Sequence, residues 1–234
     1  MSSNHKQDLA TIDFSSIMAV AVHDMKNSLS LLLQSIEQLS STLPETDQVA
    51  REHLGDVHYE ASRMNTTLVQ VLSLYRANMD ALPTNIDECF VNDMVEELVD
   101  TNLTYTKQRN IAVTVDVDED LSWYLDKDLI FLLMHDVFVN TIRYGATQVS
   151  IKAHIEDKFL SVIVEDDGPG YPENMLAMSN AAMDRLCISE GRTGLGLFFA
   201  RLIAQTHKNR ELNGRIELSN NKTTGGSIFK LLLP

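Results

Sequence analysis

The sequence predicts an α + α/β protein: a long helical hairpin that pairs with a second copy as a four-helix bundle, followed by a two-layer α/β sandwich. The first observation is an apolar seam at Val22, Met25, Leu29, Leu32, Ile36, Leu39 and Leu43, stepping alternately by three and four. The second is its repetition at Leu54, Val57, Ala61, Met64, Leu68, Val71 and Tyr75, after a break at Pro44. A hairpin cannot bury two such stripes alone, so dimerisation is expected. The third is the change of pattern after Pro83-Thr84-Asn85, where helical and alternating stretches follow one another.

The chain divides into a polar tail over 1–10, the hairpin over 11–82 and the sandwich over 83–234. Within the sandwich, residues 90–106 read as one amphipathic helix and 111–117 alternate as a strand. A strong helix covers 126–144. Strands over 148–155 and 159–165 form a hairpin around Glu156-Asp157-Lys158. Residues 168–192 are rich in Gly, Asn, Ser and Met and have no strand pattern. A helix over 195–206 precedes two closing strands, 215–219 and 227–233.

A formal net charge of −14 argues against a nucleic-acid binder and against attraction to anionic membrane surfaces. The two cysteines, Cys89 and Cys187, offer neither a disulfide framework nor metal-ligand spacing. Without an apolar signal core or a run of about 18 apolar residues, the expectation is a soluble, cytoplasmic protein with no membrane span.

His23 stands one residue off the first seam, toward solvent, with Asp24 beside it and Asn27 one turn further along the same flank. An imidazole held by a carboxylate on a rigid helix can attack an electrophile such as phosphorus. In the sandwich, Asp136, Asn140 and Arg143 step by four and three along one helix face, with Tyr144 next. Oxygen donors there suit a hard cation, the guanidinium suits phosphate, and the phenol can stack on a base. Asp166-Asp167-Gly168-Pro169-Gly170 follows a strand directly, placing a carboxylate at a tight turn where it can accept from an exocyclic amine. Gly191 to Leu197 opens a helix through a glycine loop, a backbone anion cradle that departs from phosphate-loop spacing.

Taken in this order, these pieces resemble the catalytic core of two-component sensor histidine kinases. His23-Asp24-Met25-Lys26-Asn27 matches the phospho-acceptor box, and Asn140 with Arg143-Tyr144 is similar to the asparagine box. Asp166 to Gly170 resembles the first glycine box, Thr193-Gly194-Leu195-Gly196-Leu197 the second, and Gly225 to Pro234 the closing strand. The resemblance implies an ATP-binding sandwich of the Bergerat type, using ATP and Mg2+. It implies that His23 accepts the γ-phosphoryl group, Asp24 orients it and acts as base, and Asn27 positions water for a phosphatase reaction. Asn140 would ligate Mg2+, with Asp136 beside it; Arg143 would steady phosphate and Tyr144 would border adenine. Asp166 would take the adenine amine, with Ser227 supporting it through a water. Gly168 and Gly170 would shape the pocket, and Thr193, Gly194, Leu195 and Gly196 would open the lid helix. The implied partners are a second copy and the receiver domain of a response regulator; the tail before Thr11 is too short to fold into a sensor, so the signal is expected to enter through a separate sensor protein, or the chain is a fragment.

Four positions depart from the family pattern. Asp136 stands where an asparagine is usual, which predicts tighter cation binding or some ATP hydrolysis. No phenylalanine-containing lid box is recognisable between Tyr171 and Glu190. Ser28 replaces a helix-bending proline, and 208–213 is longer and more polar than the usual turn. Two alternatives stand beside the kinase: a phosphotransfer or scaffold module that keeps the bundle without using ATP, and a non-kinase ATPase of the same fold.

Overall fold

The computed structural model describes residues 14–44, 47–77, 84–179 and 195–234. Helices α1 (Phe14–Thr42) and α2 (Gln48–Ala77) pack along each other. α1 runs unbroken past Ser28, whose hydroxyl donates to the Asp24 carbonyl at 3.0 Å instead of opening a turn as proline would. The connection is capped from both sides. Asp47 accepts from the Ala50 amide at 3.1 Å, starting α2. The Arg51 guanidinium donates to the Leu43 carbonyl at 2.8 Å and the Pro44 carbonyl at 3.2 Å, satisfying the negative end of α1.

The seams divide into two halves. Leu29, Ile36 and Ala61 are buried, whereas Met25, Leu32, Leu39, Val57 and Met64 remain 45–56% exposed. Met25, Leu32 and Leu39 recur every seven residues, so they form one uncovered stripe down α1.

The remaining elements are β1 (Asp87–Phe90), α3 (Val91–Thr101), α4 (Leu103–Gln108), β2 (Ala112–Val117), β3 (Ser122–Leu125) and α5 (Lys127–Arg143). They continue with β4 (Gln148–Glu156), β5 (Phe159–Asp166), α6 (Glu173–Ser179) and α7 (Leu195–Thr206). The short pair β6 (Lys208–Asn209) and β7 (Leu212–Asn213) leads to β8 (Arg215–Asn220) and β9 (Ser227–Leu233). The main sheet has the order β2-β4-β5-β9-β8; β2 and β4 are parallel and the other pairs antiparallel. Its inner face, with Ile151, Leu160, Val162, Val164 and Leu231, shares a core with Leu98 of α3, Phe138 of α5 and Phe199 of α7. The outer face is covered by charges. Lys230 pairs with Glu156 at 2.5 Å, Lys152 with Glu165 at 3.9 Å, and Arg215 lies 4.6 Å above the Phe159 ring. An apolar inner face under a charged outer one is what makes the domain two-layered.

The helix expected over 90–106 is two helices. At Asn102 the side-chain amide donates to the Leu98 carbonyl at 2.8 Å, ending α3 and turning the chain into α4. α2 lies against this domain through Asp56, whose carboxylate is 3.2 Å from Arg109. A Cβ on Gly55 would come 2.5 Å from Gln108 Oε1, so the glycine admits α4 closely. His135 of α5 faces His58 of α2, and burial, with that neighbour, lowers its pKa to about 4.

Candidate functional site

α5 is placed from its N-terminus. Asp126 caps it, accepting from the Leu129 amide at 3.0 Å through Oδ1 and from the Asn85 amide at 2.7 Å through Oδ2. The Asp126 amide donates to His207 Nε2 at 3.0 Å, and His207 Nδ1 donates to the Ile203 carbonyl at 2.8 Å. A backbone amide can only donate, so Nε2 carries its lone pair and the ring is neutral. Burial correspondingly lowers the His207 pKa. This histidine ties the end of α7 to the start of α5.

The two adjacent carboxylates after β5 have different partners. Asp167 is engaged at the α5–β4 turn. It accepts from the Thr147 amide at 2.7 Å, the Gln148 amide at 2.9 Å and the Thr147 hydroxyl at 2.5 Å. The Thr147 hydroxyl bond, followed by the backbone bonds, holds the Asp167 carboxyl below its ordinary range. Asp166 keeps the inward phase of Leu160, Val162 and Val164 and is buried. Its Oδ1 accepts from the Gly168 amide at 2.7 Å and the Ser227 amide at 3.2 Å, and its Oδ2 accepts from the Ser227 hydroxyl. A carboxylate has about four acceptor positions, so three bonds leave one for an incoming donor. The water-bridged support expected of Ser227 is a direct contact with the carboxylate.

Glycines allow this crowding. A Cβ on Gly226 would lie 1.7 Å from the Asp166 carbonyl oxygen. A Cβ on Gly168 would lie 2.9 Å from Asp166 Oδ1 and 3.6 Å from the Tyr144 carbonyl, so the first glycine turn also abuts the end of α5. Gly170 has φ +77 and faces Asn220 and the Gly225 carbonyl, both within 2.9 Å of a built Cβ.

Two residues with no obvious sequence signal complete the turn. Asn220 clamps the Tyr171 backbone, accepting from its amide at 2.7 Å and donating to its carbonyl at 2.9 Å. Burial pushes the Tyr171 phenol up to about 12. Asn221 organises the following loop, accepting from the Thr223 and Thr224 amides and donating to Glu165 at 2.5 Å.

The structure thus gathers Asp166, Gly168, Gly170, Ser227 and the Tyr144 end of α5. Asp136 and Asn140 lie half-buried on α5, one turn apart, and exposed Arg143 stands 5.6 Å above the Tyr144 ring. Gly196 sits in the first turn of α7. Thr193 and Gly194 lie outside the described residues, as does the 180–190 part of the stretch from Tyr171 to Glu190 where no lid box is recognisable, and the Leu195 side chain is likewise outside. His23, Asp24 and Asn27 lie in α1; Asp24 and Asn27 are exposed, and the His23 side chain is outside the described set.

Residues 125–234 match the family described as the histidine kinase-, DNA gyrase B- and HSP90-like ATPases. The adaptive-response sensory kinase SasA of Rippkaea orientalis is 25% identical over 202 residues, spanning 81% of this chain and 51% of the relative. The chain is similar to the catalytic core of sensor histidine kinases, and residues 125–234 to their ATPase family. The signal transduction histidine-protein kinase AfsQ2 of Streptomyces coelicolor is 24% identical over 234 residues, spanning 91% of this chain and 41% of the relative. The chain therefore spans about half the length of the curated relatives it matches. Solved structures share its fold. The Acinetobacter baumannii histidine kinase AdeS superposes with TM-score 0.58 and 22% identity, over 88% of this chain and 95% of that one. Full-length ShkA in complex with AMPPNP superposes with TM-score 0.62 and 16% identity, over 94% and 46%. Among the described residues no helix is long and apolar enough to cross a membrane.

Proposed function

We propose that this core is an ATP-dependent protein histidine autokinase of a two-component system, with phosphatase activity in the reverse direction. The observation that carries the reading is Asp166: a buried carboxylate at a strand end, held by Gly168 and Ser227, with one acceptor position left. That position suits the exocyclic amine of adenine. Gly168 and Gly170 keep the turn narrow enough for a flat base, and Tyr144 borders it. The guanidinium of Arg143, exposed at the end of α5, suits phosphate. Thr193, Gly194, Leu195 and Gly196 would open α7 onto the phosphates through backbone amides.

The residues present also fit Mg2+. Among the described residues no cluster of three or more His, Cys, Asp or Glu could hold a metal alone. Asn140 and Asp136 offer two oxygen donors on one face of α5, as suits a cation that completes its shell with nucleotide phosphates and water. Bound there, Mg2+ would neutralise charge on the phosphates.

His23 is the proposed nucleophile, Asp24 its orienter and base, and Asn27 the group that positions water in the phosphatase reaction. The proposed division is a tail over 1–10, a dimerisation and phosphotransfer hairpin over 11–82, and an ATP-binding domain over 83–234. The uncovered stripe of Met25, Leu32 and Leu39 supports a homodimeric four-helix bundle, since a second copy would supply the missing apolar face. The proposed partners are a second copy and the receiver domain of a response regulator, whose aspartate takes the phosphoryl group. A cytoplasmic location suits both. Asp166→Asn replaces an acceptor with a donor; it should abolish ATP binding in calorimetry while leaving the fold intact. ATP binding retained in that variant contradicts the reading.

A further inference from the structure

We propose that His207 is the pin that sets the distance between the cation-binding face of α5 and the phosphate-binding start of α7. The inference deepens the kinase reading and rests on it, because it takes Asp136 and Asn140 as donors to Mg2+ and the first turn of α7 as a cradle for phosphate. His207 directly follows α7 and is buried, and all four of its polar groups are engaged. Its amide donates to the Ala204 carbonyl at 3.1 Å, and its carbonyl accepts from the Gly214 amide at 2.8 Å. Nδ1 donates to the Ile203 carbonyl at 2.8 Å, which fixes the ring against the last turn of α7. Nε2 is thereby aimed at the Asp126 amide and accepts from it at 3.0 Å.

Asp126 is fixed as completely on its own side. Its carbonyl accepts from the Ile130 amide at 3.0 Å, and its carboxylate accepts from the Leu129 and Asn85 amides. The bond between the two residues joins two arms. From Asp126, α5 reaches Asp136 in ten residues (136 less 126) and Asn140 in fourteen (140 less 126). From His207, α7 runs back to Gly196 in eleven (207 less 196). At about 1.5 Å per residue, the first arm is roughly 15–21 Å long and the second roughly 16 Å.

The arms pack on each other within the core that contains Ile130, Phe138, Phe199 and Ile203. Apolar burial is non-directional, whereas a hydrogen bond weakens steeply off line. The directional contact at the shared end is therefore what fixes the angle between the helices. A rotation of about 4° there carries the tip of an arm of roughly 16 Å by about 1 Å, a misplacement that costs about a hundredfold in rate. Asp166 holds the base end from β5, outside both arms. Loosening the pin thus disturbs the phosphates and leaves the adenine contact in place. His207 acts through α5 and α7, as a positioning residue.

The test is autophosphorylation of the full chain with γ-labelled ATP and Mg2+, read as the labelling rate per bound nucleotide at saturating ATP. Beside it, calorimetry gives the Kd for ADP without Mg2+, which reports the base end. His207→Phe keeps a ring and removes both nitrogens. The saturated rate should fall roughly tenfold or more, while the ADP Kd moves by less than about threefold. His207→Gln, whose side-chain carbonyl can accept from the Asp126 amide, should restore the rate to within about threefold of wild type. A merely structural role would shrink the folded fraction, so label and ADP sites would be lost in proportion and the rate per bound nucleotide would hold; that result would overturn the proposal. So would a glutamine variant as slow as the phenylalanine variant. His207→Leu gives the same readout if the phenylalanine variant does not fold. A wild type that binds ADP and takes no label removes the kinase reading and this inference together. A labelled wild type, with an unmoved rate in His207→Phe, removes the inference alone.

Discussion

Replacing Gly226 by alanine would push a methyl group into the backbone from which the candidate site hangs. The added Cβ would stand 1.7 Å from the Asp166 carbonyl oxygen, 2.6 Å from its carbon and 2.9 Å from Asp167 Cα. All three are backbone atoms, so no flexible side chain can yield. Reaching even the 3.0 Å limit requires β5 and β9 to part by about 1.3 Å at this point (3.0 less 1.7). The Ser227 amide bond to Asp166, already 3.2 Å, breaks with that motion, and the hydroxyl bond goes with it. Overpacking costs about 1–3 kcal/mol, and two buried bonds to a carboxylate about 1.5–3 kcal/mol each. The sum, roughly 4–9 kcal/mol, is a large part of a domain's total stability. Gly225 provides the control: it has φ +82 but nothing within 4 Å of a built Cβ, so alanine there meets only the left-handed backbone cost of about 1–2 kcal/mol. Urea unfolding followed by the fluorescence of Trp123, the single tryptophan, measures both in the domain concerned. Equal losses for the two variants, or a Gly226→Ala protein with native stability and nucleotide affinity, would refute the packing argument.

Three further outcomes follow from the structure. Leu32→Glu with Met64→Glu places charges on the uncovered seam; sedimentation should show a dimer becoming a monomer with unchanged ATP affinity, and a wild type already monomeric would contradict the bundle. Because burial lowers the His207 pKa, the unfolded chain binds a proton that the folded one refuses. Stability should be complete above the ordinary value of 6.5 and fall as pH drops below it, by at most about 1.4 kcal/mol per pH unit for this group. His207→Gln should flatten that slope in pH-dependent urea titrations; an unchanged slope would assign it elsewhere, with His135 carrying the same sign. Asp136→Asn should weaken Mg2+ dependence and lower any ATP hydrolysis, and identical values for variant and wild type would sink that role.

The long helices and the strands of the sandwich were legible because each has a sustained period: seven in the seams, two in β4, β5 and β9. Asp166 was singled out from Asp167 by the resemblance, and the structure adds the physical ground that only Asp166 continues the inward phase of β5. What did not show was local and short, or distant. β1 and β3 have four residues each, and β1 turns only Cys89 inward, too little for an alternation to register. The break at Asn102 is made by one side chain bonding back four residues within an otherwise continuous amphipathic pattern. Tyr171 and Asn220 meet across 49 residues, and no spacing rule connects them. The direct Ser227–Asp166 contact depends on how close two strands approach, which Gly226 permits but does not announce.

The central claim is that His23 takes phosphate from ATP, and one measurement tests it directly. The protein is incubated with γ-labelled ATP and Mg2+, and wild type is compared with His23→Ala. The account predicts label that is acid-labile, stable to base and absent from the variant. Label that persists in His23→Ala, or an ATP-binding wild type that stays unlabelled under every partner and cation condition, would contradict it.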